Sequence, residues 1–327
     1  MALIEVEGLC KDFKVYKRQK GFLKNAASLF NRKFEIVHAI QDLSFSLEQG
    51  ELVGYVGTNG AGKSTTVKTL CGILVPSSGV VHVNGLVPYE NRKENAKSIG
   101  VVFGQRSQLN WDLPTEDTFD LYKKMYRIEN DRYKRNVAFF TDLLDMGDFI
   151  RKPVRQLSLG QKMRAEIAIS LLHDPKILYL DEPTIGLDVV VKDRIRKFLR
   201  DLQKEKGTTI ILTTHDMEDI DQICQRIILI DKGRKLVDEP LAVFKKRFGE
   251  EYYVEVEYSG EPPEIGDERF ILVNRINKRS LYKLNRNITP AKEAMKYFID
   301  SFDISDIGAR NQRLDEIIRD YYMKESL

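Results

Sequence analysis

A glycine-rich segment at residues 57–64 has the residue types and the spacing of a phosphate-binding loop. It fits the pattern G-x-x-x-x-G-K-[ST], and the strand-like stretch before it and helix-like stretch after it argue against a chance glycine turn. Glycines let several backbone N–H groups point at one phosphate, and the following helix adds the positive end of its dipole. With the next residue, the candidate nucleotide-binding residues here are Gly57, Thr58, Asn59, Gly60, Ala61, Gly62, Lys63, Ser64 and Thr65.

Two side chains of this loop have specific expected roles. We expect the Lys63 amine to reach the β- and γ-phosphates of ATP and the Ser64 hydroxyl to bind Mg²⁺. The loop alone leaves the reaction open, because kinases, GTPases and motor ATPases share it.

An acidic pair, Asp181 and Glu182, ends a second apolar stretch at residues 177–180. A buried parallel strand presents its carboxyl end beside such a loop, so we expect Asp181 to hold Mg²⁺ directly or through water. Successive strand residues point to opposite sides, which makes Glu182 the candidate to polarise a water for in-line attack on the γ-phosphate. The alternative is that Glu182 only caps the turn before Pro183.

A third segment, LSLGQ at residues 157–161, lies about 20 residues before the acidic pair and begins a helical stretch. Together with the phosphate-binding loop, it resembles the signature of the ABC ATPase superfamily, usually written LSGGQ. The third position here is Leu159, where the usual signature has glycine. A serine and a glycine at a helix start form a second anion-binding site. The resemblance implies that the nucleotide contacts of this segment are Ser158, Leu159, Gly160 and Gln161.

Further elements follow in the order of that superfamily, over about residues 3–240. The resemblance implies that Gln105 is the Q-loop glutamine that binds Mg²⁺, that Asp188 belongs to the D-loop, and that His215 is the switch histidine that contacts the γ-phosphate. Phe13 matches the aromatic residue that stacks on adenine, with Tyr16 as a possible substitute. Without the resemblance, His215 would be read as a core histidine and Gln105 as an ordinary loop residue.

The composition limits the classes of protein to which the chain can belong. Its 327 residues carry 52 basic and 49 acidic side chains, so it is not a strongly basic nucleic-acid binder. Strand-like and helix-like stretches alternate up to about residue 238, as in an α/β fold with a parallel sheet. The resemblance implies a P-loop ABC ATPase with a RecA-like core, an antiparallel β subdomain and an α-helical signature subdomain.

The sequence divides near Pro240. Residues 1–240 form the predicted ABC ATPase domain. Residues 241–327 form a predicted small α+β appendage with a regulatory or dimer-stabilising role. Within it we expect first a helix, then strands around 252–258 and 270–273, and then helices. The first domain contains a basic amphipathic insertion at about 17–34, which would contact anionic lipid or a membrane subunit, or would be a solvated surface helix.

The resemblance also implies partners. Two ATP molecules would lie between two copies of the chain, with the signature of one copy completing the site of the other. No apolar run is long enough to span a bilayer, so a membrane role would require separate permease subunits, which would hold the chain at the cytoplasmic face. Trp111 would contact the permease or pack on its own domain. Residues 183–189 and 106–130 look like ABC-2-type exporters; the alternatives are an importer subunit or a soluble ABC protein acting on ribosomes or DNA.

Overall fold

The N-terminal unit of the chain is built on a mainly parallel sheet whose central strands are short apolar runs. The computed structural model describes residues 2–16, 34–104 and 107–325, and the chain divides into two compact units, Met1–Glu239 and Pro240–Leu327. The predicted insertion therefore lies outside the described residues except for Phe34, as does Gln105.

The strands of the N-terminal unit are, in chain order, β1 (Ile4–Tyr16), β2 (Phe34–Leu47), β3 (Leu52–Gly57), β4 (Ser78–Val83), β5 (Ile99–Phe103), β6 (Ile177–Asp181), β7 (Thr209–Thr213), β8 (Arg226–Asp231) and β9 (Arg234–Pro240). Its helices within the described ranges are α1 (Lys63–Leu70), α2 (Arg92–Ser98), α3 (Thr115–Tyr126), α4 (Asn130–Leu143), α5 (Leu159–Leu171), α6 (Val189–Lys206) and α7 (Met217–Ile223). A short 3₁₀ turn at Val154–Gln156 precedes α5.

The described strands of the N-terminal unit form two sheets. The larger has the order β5-β6-β7-β3-β8-β9, with parallel pairing from β5 to β8. The central strands β3, β6 and β7 are buried on both faces, which explains why they read as continuous apolar runs without alternation. The smaller sheet is antiparallel with the order β2-β1-β4. A mainly helical region from α3 to α5 carries the LSLGQ segment at the start of α5, so all three predicted parts are present.

The C-terminal unit is an antiparallel sheet with helices. Its elements within the described residues are α8 (Leu241–Phe248), β10 (Glu251–Tyr258), β11 (Ile271–Ile276), β12 (Arg279–Asn285), α9 (Ala291–Ser301), β13 (Ile304–Asn311) and α10 (Leu314–Glu325). The strand order is β11-β12-β10-β13. Alternate residues of β10, from Tyr252 to Tyr258, pack with Phe298 of α9 in a separate apolar core, as the two-residue period of a strand requires.

Candidate functional site

The sheet order brings three loops together at one edge of the larger sheet. Strand β7 lies between β3 and β6, and all three run in the same direction. Their carboxyl ends therefore share one edge, where Gly57 ends β3, Asp181 ends β6 and Thr213 ends β7. Open α/β sheets bind ligands at such an edge.

The phosphate-loop candidates fold around the amine of Lys63. The Lys63 Nζ donates hydrogen bonds to the carbonyl oxygens of Gly57 at 2.7 Å and Thr58 at 3.1 Å. The Thr58 hydroxyl donates to Asp231 Oδ1 at 2.8 Å, and the Ala61 N–H donates to the Thr58 carbonyl at 3.1 Å. The loop is thus closed by its own lysine and tied to the end of β8.

The environment of Lys63 is unusual for a lysine. The residue is only 7 % exposed, and its burial lowers the pKa of the amine although Glu182 and Asp181 act in the opposite direction. A buried cation beside two carboxylates suits a site that receives the dense negative charge of phosphates.

Two glycines of the loop are required by close backbone approach. At Gly62 the φ angle is 106°, and a Cβ would lie 2.6 Å from the Ala39 carbonyl oxygen. At Gly57 a Cβ would lie 2.5 Å from the Ile230 carbonyl oxygen, so strand β8 leaves no room for a side chain. The exposed Asn59 and Gly60 and the half-buried Thr65 complete the loop and the first turn of α1.

We expect Gly57→Ala to lower the free energy of unfolding by about 1–3 kcal/mol, because the new methyl group overlaps backbone and cannot be relieved by a side-chain rotation. Urea unfolding measures this change. Gly147→Ala is the matched control: a Cβ there meets no atom within 4 Å, and we expect a change within about 0.5 kcal/mol. If both variants had the same free energy of unfolding, β3 and β8 could move apart at Gly57 without loss of stability.

The Asp181 carboxylate accepts hydrogen bonds from two hydroxyl groups. The Ser64 hydroxyl donates to Asp181 Oδ2 at 3.1 Å, and the Thr213 hydroxyl donates to Asp181 Oδ1 at 2.5 Å. The Gly104 N–H donates to the Asp181 carbonyl at 2.9 Å, which fixes the end of β6 against β5. One carboxylate with a hydroxyl is an oxygen donor set that fits Mg²⁺, which commonly takes its remaining ligands from water and substrate phosphates.

Glu182 lies just beyond the strand, and not within it as the sequence interpretation assumed. Strand β6 ends at Asp181, and Glu182 has a φ of 57°, a left-handed conformation that is rare for a residue with a side chain. Its N–H donates to the Thr213 carbonyl at 2.8 Å. Its Oε1 lies 2.5 Å from His215 Nε2, so the predicted base and the predicted switch histidine are in direct contact.

The LSLGQ segment forms the start of helix α5. Ser158 is the N-cap of that helix and forms a capping box with Gln161, in which each side chain accepts a hydrogen bond from the other residue's N–H. Leu159 is 53 % exposed, whereas Gly160 is buried.

The signature segment packs on the predicted D-loop. A Cβ on Gly160 would lie 3.1 Å from the Val191 methyl groups, and one on Gly186 would lie 3.2 Å from a Leu159 methyl group. Asp188 caps helix α6 by accepting from the Val191 N–H at 2.9 Å. This second cluster presents its serine, leucine and aspartate to solvent.

The aromatic candidates lie on β1. Phe13 is half-buried, with the Lys11 amine 5.2 Å from its ring centroid, and Tyr16 is 57 % exposed. The stacking of adenine on Phe13 or Tyr16 stays a prediction. Gln105 falls outside the described residues, so its expected role stays a prediction.

Sequence reasoning missed a buried ion pair that holds two of the site loops. The Arg196 Nε donates to Asp219 Oδ1 at 2.6 Å, and both side chains are buried. Asp219 also accepts from the hydroxyls of Thr184, two residues after the candidate base, and of Thr214, one residue before the candidate histidine. The only signal was a carboxylate in the first turn of a short helix, which normally indicates a solvated position.

Comparison with known proteins gives a consistent picture. Residues 40–185 match the ABC transporter family model. The chain is 32 % identical over 211 residues to the ABC transporter ATP-binding protein NatA of Bacillus subtilis, covering 64 % of this chain and 85 % of NatA. It is 31 % identical over 221 residues to the linearmycin resistance ATP-binding protein LnrL of Bacillus subtilis, covering 68 % of this chain and 70 % of LnrL. It is 33 % identical over 225 residues to the methionine import ATP-binding protein MetN of Streptococcus agalactiae, covering 66 % of this chain and 63 % of MetN.

A solved structure shares the fold. The dimeric structure of MJ0796, a bacterial ABC transporter cassette, superposes with a TM-score of 0.60 at 26 % identity, covering 73 % of this chain and 98 % of MJ0796. None of the helices in the described ranges of our chain is long and apolar enough to cross a membrane.

Proposed function

The chain belongs to the family of ABC transporter ATP-binding proteins, and we propose that it powers export of a substrate by hydrolysing ATP as a dimer bound to separate permease subunits. The family establishes an ATPase that serves an ABC transporter. Three points go beyond what the family shows: the dimer, the separate permease subunits and the direction of transport.

The observation that carries the proposal is the contact set at the edge of the larger sheet. Lys63 would donate to the phosphate oxygens, while Ser64 and Asp181 would hold Mg²⁺, which neutralises phosphate charge. Glu182 would accept a proton from the attacking water as the bond between the γ-phosphorus and its bridging oxygen breaks. His215, held by Glu182 at 2.5 Å, would donate to the γ-phosphate.

The second cluster supports a dimer. Around the signature, four apolar side chains are more than half exposed: Leu159, Ile185, Val189 and Val190. Exposed apolar side chains grouped beside a capped helix start mark an interaction surface. The second copy would cover them and receive the capped end of α5 against its own nucleotide, by analogy with the dimeric structure of MJ0796.

We expect the Glu182→Gln variant to double its mass with ATP and Mg²⁺, and Leu159→Arg in the same background to prevent this, because a buried unpaired charge would lie at the contact. Light scattering measures the mass. The matched control is Leu121→Arg, since Leu121 has the same 53 % exposure on helix α3. A dimer that persists in Leu159→Arg would remove the signature surface from the contact.

Permease binding at the cytoplasmic face is proposed from the segment after β5. Trp111 is 58 % exposed and Leu113 43 % exposed, which favours contact with a partner over packing in the chain's own core. The basic amphipathic insertion predicted at about residues 17–34 would add a basic surface near the membrane.

The direction of transport rests on resemblance to exporters and on the likeness to LnrL, whereas the likeness to MetN favours import as the second candidate. Membrane vesicles containing the chain and its permease, with the ATPase outside, distinguish the two. In an exporter, cargo supplied on the ATPase side stimulates hydrolysis and accumulates in the lumen with ATP. In an importer, lumenal cargo is released to the ATPase side.

A further inference from the structure

A buried carboxylate on the signature helix has no part in the hydrolysis site described above. Glu166 lies in the second turn of α5 and is only 6 % exposed. Burial raises the pKa of this carboxyl group, so the charged form is costly at this position unless donors surround it.

The donors of Glu166 all come from the segment that follows β5. The Ser107 hydroxyl donates to Glu166 Oε1, and the Gln108 N–H donates to both carboxylate oxygens, at 2.9 and 3.1 Å. The Ser107 hydroxyl oxygen in turn accepts from the Leu109 N–H at 3.1 Å. Residues 107–109 are therefore folded around a single side chain of the signature helix.

The Gln108 side chain connects this segment to two further elements. Its amide nitrogen donates to the Val101 carbonyl on β5 at 2.6 Å, and its amide oxygen accepts from the Tyr122 hydroxyl on α3 at 2.8 Å. A second contact to α5 lies nearby, because the Lys162 amine is 4.3 Å from the Trp111 ring centroid. Lys162 and Glu166 are four residues apart and so share one face of the helix.

The other end of the same stretch is tied to the hydrolysis site. The Gly104 N–H donates to the Asp181 carbonyl at 2.9 Å. Only two residues separate Gly104 from Ser107, so the ends of this connection can be no more than roughly 10 Å apart. The attachment of residues 107–109 to helix α5 therefore begins close to the hydrolysis site.

We propose that Glu166 is a positioning residue: its carboxylate fixes residues 107–109 on the signature helix, so that this segment and helix α5 change position together when ATP binds. This inference rests on the proposed function, because it requires ATP at the edge of the larger sheet. A well-packed apolar side chain at position 166 would cost less to bury than a carboxylate. The charged group instead supplies a directional attachment to Ser107 and Gln108.

The single tryptophan of the chain reports on this connection directly. Trp111 follows residues 107–109 in the chain and its ring lies beside the Lys162 amine of helix α5, so we expect its emission to respond when this segment moves. In the Glu182→Gln background, we would measure the change in Trp111 emission on adding ATP with Mg²⁺, and separately the ATP affinity with a fluorescent nucleotide and the melting temperature.

We expect Glu166→Ala to reduce the ATP-induced change in emission by about fivefold or more, with ATP affinity within about twofold of the parent. Glu166→Gln should give an intermediate response, because its amide oxygen still accepts one hydrogen bond. The matched control is Ser170→Ala, one turn further along the same helix, whose hydroxyl donates only to the Ile167 carbonyl and whose loss should leave the response unchanged.

A parent-like emission change in both Glu166 variants would overturn the proposal, as would a parent that binds ATP with no change in Trp111 emission. If Glu166→Ala fails to fold, Glu166→Gln decides alone between a reduced and a parent-like response. A chain that does not bind ATP at all would instead contradict the proposed function, which the nucleotide-binding measurement detects independently.

Discussion

Glu182→Gln is expected to lower the rate of ATP hydrolysis by about 10²- to 10⁴-fold, the range that a general base contributes. The amide has nearly the same shape as the carboxylate but cannot accept a proton from water. Its oxygen can still face His215 Nε2, which Glu182 Oε1 contacts at 2.5 Å. We therefore expect the rate of the chemical step to fall while the ATP affinity changes little. Phosphate release under saturating ATP with Mg²⁺ measures the rate.

The control for this variant is Glu205→Gln, which removes a carboxylate from an exposed position near the end of helix α6. Its rate should equal that of the wild type. A Glu182→Gln rate above about one tenth of the wild-type rate would show that Glu182 is not the general base, and would leave it the alternative role of shaping the turn before Pro183.

The left-handed backbone at Glu182 bears on the same question. A φ of 57° at a residue with a side chain costs of order 1–3 kcal/mol and persists only where surrounding contacts hold it. Here the N–H of Glu182 is bonded to the Thr213 carbonyl, and Thr184 is bonded to the buried Asp219. Hydrogen bonds at Glu182 and at Thr184 thus maintain the strained backbone. Because such strain occurs mainly at functional sites, it favours the general-base role of Glu182 over a simple turn cap.

The sequence predicts a site residue well when its role is set by one short motif, and poorly when its role depends on contacts between distant segments. Lys63, Ser64 and Asp181 occur in continuous motifs at the carboxyl ends of β3 and β6, two parallel strands of one sheet, so knowing the motifs is nearly enough to place them together. The conformation of Glu182 could not be predicted, because strand alternation continues one residue further in the sequence pattern than in the hydrogen-bonded sheet.

Arg196 and Asp219 illustrate the opposite case. They are 23 residues apart, in two helices that carry many charges, and each looks like a solvated surface residue. Only the packing of α6 beside α7 buries them together. No local pattern records which charged residue of a helix has a partner in another helix.

In the C-terminal unit, the sequence indicated β10 and the start of β11 but not β12 or β13. Strand β11 is exposed at every residue, and β13 alternates poorly because it lies at the other edge of the sheet. Edge strands face solvent on more sides, so their residues show weak two-residue periodicity. Strand β12 does alternate, with Ser280, Tyr282 and Leu284 buried, but a polar serine on the buried face and Leu281 on the other face conceal the pattern.

The Lys63 amine can be tested by a substitution that separates nucleotide binding from stability. We expect Lys63→Met to weaken ATP binding by roughly 10- to 150-fold, the equivalent of a hydrogen bond to a charged group worth about 1.5–3 kcal/mol. The methionine retains most of the buried chain of methylenes, and it removes a cation whose burial lowers its pKa. The free energy of unfolding should therefore stay within about 1 kcal/mol of the wild type.

The lowered pKa of Lys63 predicts how the free energy of unfolding and the ATP affinity change with pH. Because the pKa of Lys63 is lower in the folded chain than in the unfolded one, the unfolded chain binds more protons between the lowered value and 10.5. The free energy of unfolding due to this group therefore rises with pH through that alkaline window, and Lys63→Met should remove the rise. ATP affinity of the wild type should fall over the same window, since the neutral amine attracts phosphate less.

Lys68→Met is the matched control, because Lys68 is exposed on the same helix α1 and faces away from the loop. Titration with a fluorescent nucleotide and urea unfolding, each at two pH values, measure both quantities for both variants. If Lys63→Met binds ATP as tightly as Lys68→Met, the amine serves only to close the loop through the Gly57 and Thr58 carbonyls. Suppose instead that Lys63→Met lowers the free energy of unfolding by several kcal/mol. The two hydrogen bonds of the amine would then stabilise the fold by more than burial of its charge destabilises it, and Lys63 would have a structural role as well as a role in ligand binding.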